Sequence, residues 1–78
     1  MSDSVEVTIR LFAFFRDGRF KVETRQYTAG TKIDQVIDEL GIRQDEVGVI
    51  LVNSQHVEPE HVLVSGDDCS LFPLVGGG

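Results

Sequence analysis

The residues most suited to chemistry stand at the C-terminus, where the sequence ends Leu74-Val75-Gly76-Gly77-Gly78. Successive glycines have no side chain to bury and much backbone freedom, so they predict a flexible, exposed tail. A narrow cleft in another protein can admit such a chain and exclude residues that carry a Cβ. The reactive group would then be the α-carboxylate of Gly78, activated by transfer to AMP. A frayed end with no function has the same composition, so this alternative stays open.

No catalytic motif accompanies the glycines. The sequence has no G-x-x-x-x-G-K-[ST] phosphate-binding loop. Cys69 lies in an alternating apolar segment without a nearby basic residue, which favours a buried core position over a reactive thiol. His56 and His61 flank Pro59 in a short polar segment and are not expected to converge on a metal. The chain is therefore expected to be a carrier that binds no cofactor, with catalysis supplied by another protein.

Length and composition predict one small domain. The 78 residues are 41% hydrophobic and 26% charged, which is typical of a globular chain too short for two cores. A single cysteine excludes an internal disulfide. No apolar run has the length of a membrane span, and the first residues lack the pattern of a signal peptide, so no membrane contact and a cytoplasmic location are expected.

The net charge of −6 is unevenly distributed along the chain. Residues 1–33 carry six basic and four acidic side chains, whereas residues 34–78 carry one basic and nine acidic side chains. A phosphate backbone would be repelled by the acidic half, which argues against a nucleic-acid partner and favours a basic protein surface. An acidic surface that only keeps the protein soluble would give the same count.

The hydrophobic pattern predicts five strands. Alternation over residues 5–11 indicates a half-buried strand, and the Asp17-Gly18 turn leads into a second strand to form a hairpin. Residues 47–53 are almost continuously apolar, which is typical of a central strand covered on both faces. A turn at Asn53-Ser54 is followed by a short strand at 56–57 and a last strand at 69–73.

One helix is predicted between the second and third strands. Thr31 is suited to the N-cap position, and Gly41 is suited to the C-terminal stop about ten residues later. The apolar stripe of this helix consists of Ile33, Val36, Ile37 and Leu40. The order of elements is typical of an α+β protein of the β-grasp (ubiquitin-like) type, with a mixed sheet of four to five strands and one helix on one face. The predicted domain is residues 1–73, followed by a tail of residues 74–78.

Three stretches, VTIRLFAFFRD, VGVILVNSQHV and GDDCSLFPLVGGG, resemble the MoaD/ThiS family of β-grasp sulfur carriers. That family includes the small subunit of molybdopterin synthase and the thiamin-pathway carrier. The resemblance implies that an E1-like enzyme adenylates Gly78 with ATP, that the product becomes a thiocarboxylate, and that its sulfur is donated during cofactor synthesis. Gly77 and Gly78 match the family's terminal pair, and Phe72-Pro73 match the preceding FP. The residues expected to contact partners are Phe72, Pro73, Leu74, Val75 and Phe14.

Departures from the family pattern leave the pathway open. Leu74 replaces a second proline and Gly76 adds a third glycine, so the FP sequence favours the molybdopterin branch and the VGGG ending favours the thiamin branch. The expected acceptor is the molybdopterin synthase large subunit, or alternatively thiazole synthase. A ubiquitin-like modifier that is joined to lysines of other proteins needs the same tail, so this function is an alternative to a sulfur carrier. An interaction module with an inert tail is a third hypothesis. Ser54 stands where the family usually has glycine, which costs about 1 kcal/mol if the turn has positive φ.

Overall fold

The secondary structure follows the predicted order. The structure, a computed structural model, describes residues 3–74. The strands are β1 (Ser4–Leu11), β2 (Val22–Thr28), β3 (Val47–Val52), β4 (Gln55–His56) and β5 (Asp68–Pro73), the α-helix is α1 (Ile33–Glu39), and two 3-10 helices span Ala13–Arg16 and Gln44–Glu46. Within residues 3–74, no helix has the length and apolar character needed to cross a membrane.

The five strands form one mixed sheet in the order β2-β1-β5-β3-β4. β1 pairs antiparallel with β2 and parallel with β5, while β3 pairs antiparallel with both β5 and β4. The parallel pairing sets Ile9 beside Cys69 and Leu11 beside Leu71. The predicted β-grasp class is confirmed, and the final strand lies at the centre of the sheet.

One face of the sheet packs against α1. The inward residues of β1, which are Val7, Ile9 and Leu11, are at most 1% exposed. Three of the four residues in the predicted helix stripe are fully buried, and Leu40 is partly buried against the same core. Burial of each aliphatic side chain of this size contributes about 1.5–3 kcal/mol, so the layer between sheet and helix is the main source of stability.

The start of α1 differs from the prediction. Lys32 occupies the N-cap position predicted for Thr31, and the helix has seven residues instead of about ten. The Thr31 hydroxyl donates to the carbonyl of Thr28 (2.7 Å). The first two amides of α1 donate to backbone carbonyls in the loop of residues 59–61 (2.9 and 3.0 Å). Because the loop satisfies these amides, the helix begins without a capping bond from the side chain of Lys32, while the Gln35 side-chain oxygen accepts from the Lys32 amide (2.8 Å).

The environment of β3 also differs from the prediction. Ile50 and Val52 are buried on the helix side, but Val49 and Leu51 on the opposite face are only half-buried. The expectation of a strand covered on both faces was wrong, because α1 covers only one face of the sheet in the part of the chain that the structure describes. The other face, called the open face below, keeps apolar side chains in contact with solvent.

The turn between β3 and β4 has positive φ at both loop residues, with 53° at Asn53 and 68° at Ser54. The Asn53 side chain fixes this turn to the start of β5. Its amide nitrogen donates to the Asp67 carboxylate, and its oxygen accepts from the Asp68 amide (both 3.0 Å). Ser54 therefore occupies a backbone conformation that favours glycine, as the sequence comparison with the family pattern anticipates.

Replacement of Ser54 by glycine should raise the free energy of unfolding by about 0.5–1 kcal/mol. Positive φ costs an L-residue about 1–2 kcal/mol, and the greater freedom of glycine in the unfolded chain offsets part of this gain. Urea unfolding measures the difference. Ser54→Ala is the matched control, since alanine carries the same strain and should give no gain. Equal stability of the two variants would contradict this assignment of strain.

Candidate functional site

The predicted tail follows β5. This strand ends at Pro73, as the sequence indicates. Along β5, Cys69, Leu71 and Pro73 are buried, while Ser70 and Phe72 are half-buried on the open face. β1 and β3 pair with the two edges of this strand. The chain therefore leaves the sheet from a strand that is held on both sides.

Two backbone neighbours hold the residue that follows β5. The amide of Leu74 donates to the carbonyl of Glu46 (2.8 Å), while 58% of Leu74 is exposed. On β3, the pairing with β5 shifts register between Val47 and Val49, and Gly48 lies at this irregularity. A Cβ on Gly48 would lie 3.1 Å from the Leu74 Cα. Leu74 with its contacts to Glu46 and Gly48 is called the tail root below.

Val75, Gly76, Gly77 and Gly78 lie outside the residues that the structure describes. The reactive role of Gly78, the role of the other glycines and the partner contact of Val75 therefore stay predictions. The same holds for the division into a domain of residues 1–73 and a tail of residues 74–78.

An apolar surface lies on the open face beside the tail root. Phe72 stacks on Phe12 with ring centroids 4.2 Å apart and planes 14° from parallel. In the β3–β5 register, Val49 is opposite Phe72, and Leu51 is opposite Ser70. Phe12, Val49, Leu51 and Phe72 are half-buried and are together called the open-face strip. Such a strip, which includes Phe72 two residues before the exposed Leu74, is suited to contact with another protein.

Phe14, also predicted as a partner contact, lies in the 3-10 helix after β1. It is 47% exposed, and its ring packs edge-on against the buried Phe15 at 5.3 Å between centroids. The helix begins at Ala13, which has a positive φ of 53°. This backbone conformation turns the chain so that Phe15 enters the core and Phe14 remains in solvent.

Four residues of this region were not identified from sequence, namely Phe12, Val49, Leu51 and Gly48. Val49 and Leu51 fall within the strand predicted at residues 47–53, and Phe12 directly follows the strand predicted at residues 5–11. Alternation along a strand shows which side chains share a face. It does not show which of the two faces is open until the position of the helix is known. The signal for Gly48 is a lone glycine within an apolar strand, which often marks a bulge or a close backbone approach.

The charged pair of Arg10 and Asp68 lies at one end of the open-face strip. Arg10 lies opposite Ser70, whose other neighbour across the sheet is Leu51. The Arg10 Nε donates to both oxygens of Asp68 (2.9 and 3.1 Å), and this hydrogen bond raises the pKa of Arg10. Among the acidic residues between 34 and 46, Asp38, Glu39, Asp45 and Glu46 are exposed and Asp34 is half-buried.

Cys69 lies in the core, as predicted. Cys69 is fully buried and lies beside Ile9 in the parallel pairing of β1 with β5. Burial, together with the nearby carboxylates of Asp67 and Asp68, raises the pKa of the Cys69 thiol to about 12. A protonated, inaccessible thiol is a poor nucleophile, so the geometry does not favour a sulfur-relay role.

The two histidines occupy different environments. His56 is exposed in β4, whereas His61 is half-buried, with its Nε2 3.5 Å from the Asp67 carboxylate. Asp67 is itself only 3% exposed and accepts from the amide of Val64 (2.9 Å) as well as from Asn53. This buried carboxylate joins the loop before β5 to the β3–β4 turn, so its role is to position the final strand.

Comparisons with known proteins agree on the type of domain. A family model described as the ThiS family matches residues 9–78. No match was found among curated proteins. A Pyrococcus furiosus protein assigned as subunit 1 of molybdopterin converting factor is 25% identical, with a TM-score of 0.74 over 91% of this chain and 99% of that chain.

Two further solved structures share the fold at lower identity. Small archaeal modifier protein 1 of Haloferax volcanii is 18% identical, with a TM-score of 0.73 over 91% of this chain and 99% of that chain. A chain from the complex of subunits 1 and 2 of molybdopterin-converting factor from Helicobacter pylori is 22% identical, with a TM-score of 0.58 over 95% of this chain and 100% of that chain. A subunit of molybdopterin converting factor and a modifier protein thus both have this architecture.

The Cys69 thiol should not react with an aromatic disulfide reagent at about pH 8 while the protein is folded, because it is buried and protonated. Release of the coloured thiolate should begin only when urea unfolds the chain. The unfolded protein serves as the control for full reactivity. Native protein that reacts as fast as unfolded protein would contradict the burial and the raised pKa.

Proposed function

Because the chain belongs to the ThiS family, we propose that it is a sulfur carrier whose reactive group is the Gly78 carboxylate. The observation that carries this proposal is the position of β5, which brings the chain end out of the centre of the sheet. The exposed Leu74 and the apolar open-face strip lie at that exit. The family match continues through residue 78, so it includes the glycine ending.

The proposed chemistry takes place in a partner's active site. A Gly78 carboxylate oxygen attacks the α-phosphorus of ATP, and pyrophosphate leaves to give an acyl-adenylate. Hydrosulfide then attacks the acyl carbon and AMP leaves, so the acyl bond to the AMP oxygen is exchanged for a bond to sulfur. Loss of the thiol proton gives the thiocarboxylate. This chain contributes the carboxylate and the surface that presents it. The E1-like partner contributes nucleotide binding and catalysis, in a cytoplasm that supplies ATP.

We propose molybdopterin synthesis as the pathway, with a molybdopterin synthase large subunit as sulfur acceptor. The Pyrococcus and Helicobacter structures named above, which are assigned to molybdopterin converting factor, support this choice. Thiazole synthase in thiamin synthesis is the alternative acceptor, supported by the ThiS family model and the VGGG ending. Both acceptors would use the same thiocarboxylate.

Protein modification is a second candidate function. The likeness to Haloferax volcanii small archaeal modifier protein 1 has nearly the same TM-score as the likeness to the Pyrococcus protein. In this function, the amine of a lysine on another protein displaces AMP or a thiol and forms an amide with Gly78. Immunoblots of cell extract distinguish the two functions, because only modification gives adducts of higher mass.

A thiocarboxylate should form when the protein is incubated with an E1-like enzyme, ATP and a sulfide source. Intact-mass spectrometry should detect a shift equal to the difference between sulfur and oxygen. A chain without Gly77 and Gly78 is the matched control, because residues 3–74 that form the fold are intact. Its mass should stay unchanged, since it lacks the terminal glycines that the activating enzyme would bind. No mass change with the activating enzyme of either pathway would contradict the proposal.

Leu74→Asp should weaken binding of the activating enzyme by about 1–3 kcal/mol, a range typical of losing an apolar contact at an interface centre. The substituted side chain would bring a charge next to the open-face strip. Val64→Asp is the matched control, since Val64 is 57% exposed and Leu74 is 58% exposed. Isothermal titration calorimetry measures both affinities. Equal affinities would exclude Leu74 from the contact surface.

A further inference from the structure

Gly48 differs from the other glycines that the structure describes. Residues 3–74 contain five glycines, and four of them have positive φ, which explains the absence of a side chain at those positions. These four are Gly18, Gly30, Gly41 and Gly66. Gly48 has no such φ and lies within β3, where glycine weakens a strand. Its backbone conformation would accept an L-residue, so another constraint must account for glycine at this position.

That constraint is the space occupied by the end of β5. A Cβ on Gly48 would lie 3.1 Å from both the Leu74 Cα and the Pro73 carbonyl oxygen, and 3.2 Å from the Leu74 nitrogen. Carbon atoms normally pack about 3.5–4.0 Å apart. All three neighbours are backbone atoms, so a methyl group could be accommodated only if the chain at residues 73–74 moved away.

A hydrogen bond holds the same residue on the other side. Pro73 has no amide hydrogen, so the ladder between β3 and β5 lacks a donor at that position. The next amide, that of Leu74, donates to the carbonyl of Glu46 at 2.8 Å. The Leu74 side chain is exposed, so the backbone and not the side chain fixes this residue. Leu74 is therefore held between a hydrogen bond and the bare backbone of Gly48.

We infer that Gly48 is a positioning residue, which sets the point and direction from which the C-terminal segment leaves the sheet. This inference rests on the proposed function, in which the Gly78 carboxylate must reach a reacting position in a partner's cleft. Gly48 touches neither ATP nor the reacting carboxylate. It acts through Leu74, by allowing the close approach that keeps the Leu74 amide on Glu46.

Amide hydrogen exchange tests the geometry without any partner. In the wild-type chain, the Leu74 amide should exchange more slowly than in an unstructured peptide, and Gly48→Ala should remove most of that protection. Gly30→Ala is the matched control, because Gly30 has a φ of 95° and a Cβ added there would meet no atom outside its chain neighbours within 4 Å. Alanine at this position therefore adds strain without touching the tail root. An unprotected wild-type Leu74 amide, or protection that is unchanged in a folded Gly48→Ala variant, would overturn the inference. An unprotected wild-type amide would overturn the inference even if Gly48→Ala does not fold.

The kinetics of adenylation test whether Gly48 positions the C-terminal segment for reaction. Displacement of the tail root by a fraction of an ångström should lower kcat for adenylation about tenfold, since misplacement by 1 Å can cost about a hundredfold. KM for the carrier should change little in Gly48→Ala, because the open-face strip remains intact. Gly30→Ala should keep the wild-type kcat. An unchanged kcat in folded Gly48→Ala would contradict the positioning role, whereas failure of the wild-type chain to be adenylated would count against the proposed function alone.

Discussion

The parallel pairing of β1 with β5 is the constraint on which the rest of the structure depends. It brings the two ends of the domain together and inserts the last strand between β1 and β3. The intervening segment must then cross over the sheet, and α1 covers the face where it crosses. With Cys69 and Leu71 fully buried in this strand, the chain end starts from one of the most firmly held parts of the fold.

The two faces of the sheet have separate roles. The helix side contains the aliphatic core and the protonated thiol of Cys69, which burial keeps unreactive. The open face carries the stacked pair of Phe12 and Phe72, together with apolar residues of β3. Stability therefore comes from one face, and in the proposed function the other face and the chain end are left for recognition. This division suits a protein that presents a reactive terminus to an active site in another molecule.

Periodicity was sufficient to predict the strands, the helix stripe and the stop at Gly41, which has a φ of 77°. These features depend on local sequence. The N-cap at Thr31 was predicted wrongly because carbonyls of a distant loop satisfy the helix amides. The role of Gly48 was not predictable, since its contact with Leu74 depends on the register between β3 and β5. The glycine ending identified the candidate reactive group, but its exit point depends on tertiary pairing.

A crystal structure of this chain bound to an E1-like adenylating enzyme and ATP is the sharpest test of the proposed carrier function. The chain beyond Leu74 should enter the enzyme's cleft with the Gly78 carboxylate against the α-phosphate of ATP. The open-face strip should be buried in the same interface, and the bond between Leu74 and Glu46 should be retained. A complex in which the enzyme binds another surface, and in which the Gly78 carboxylate lies away from the nucleotide, would contradict the account.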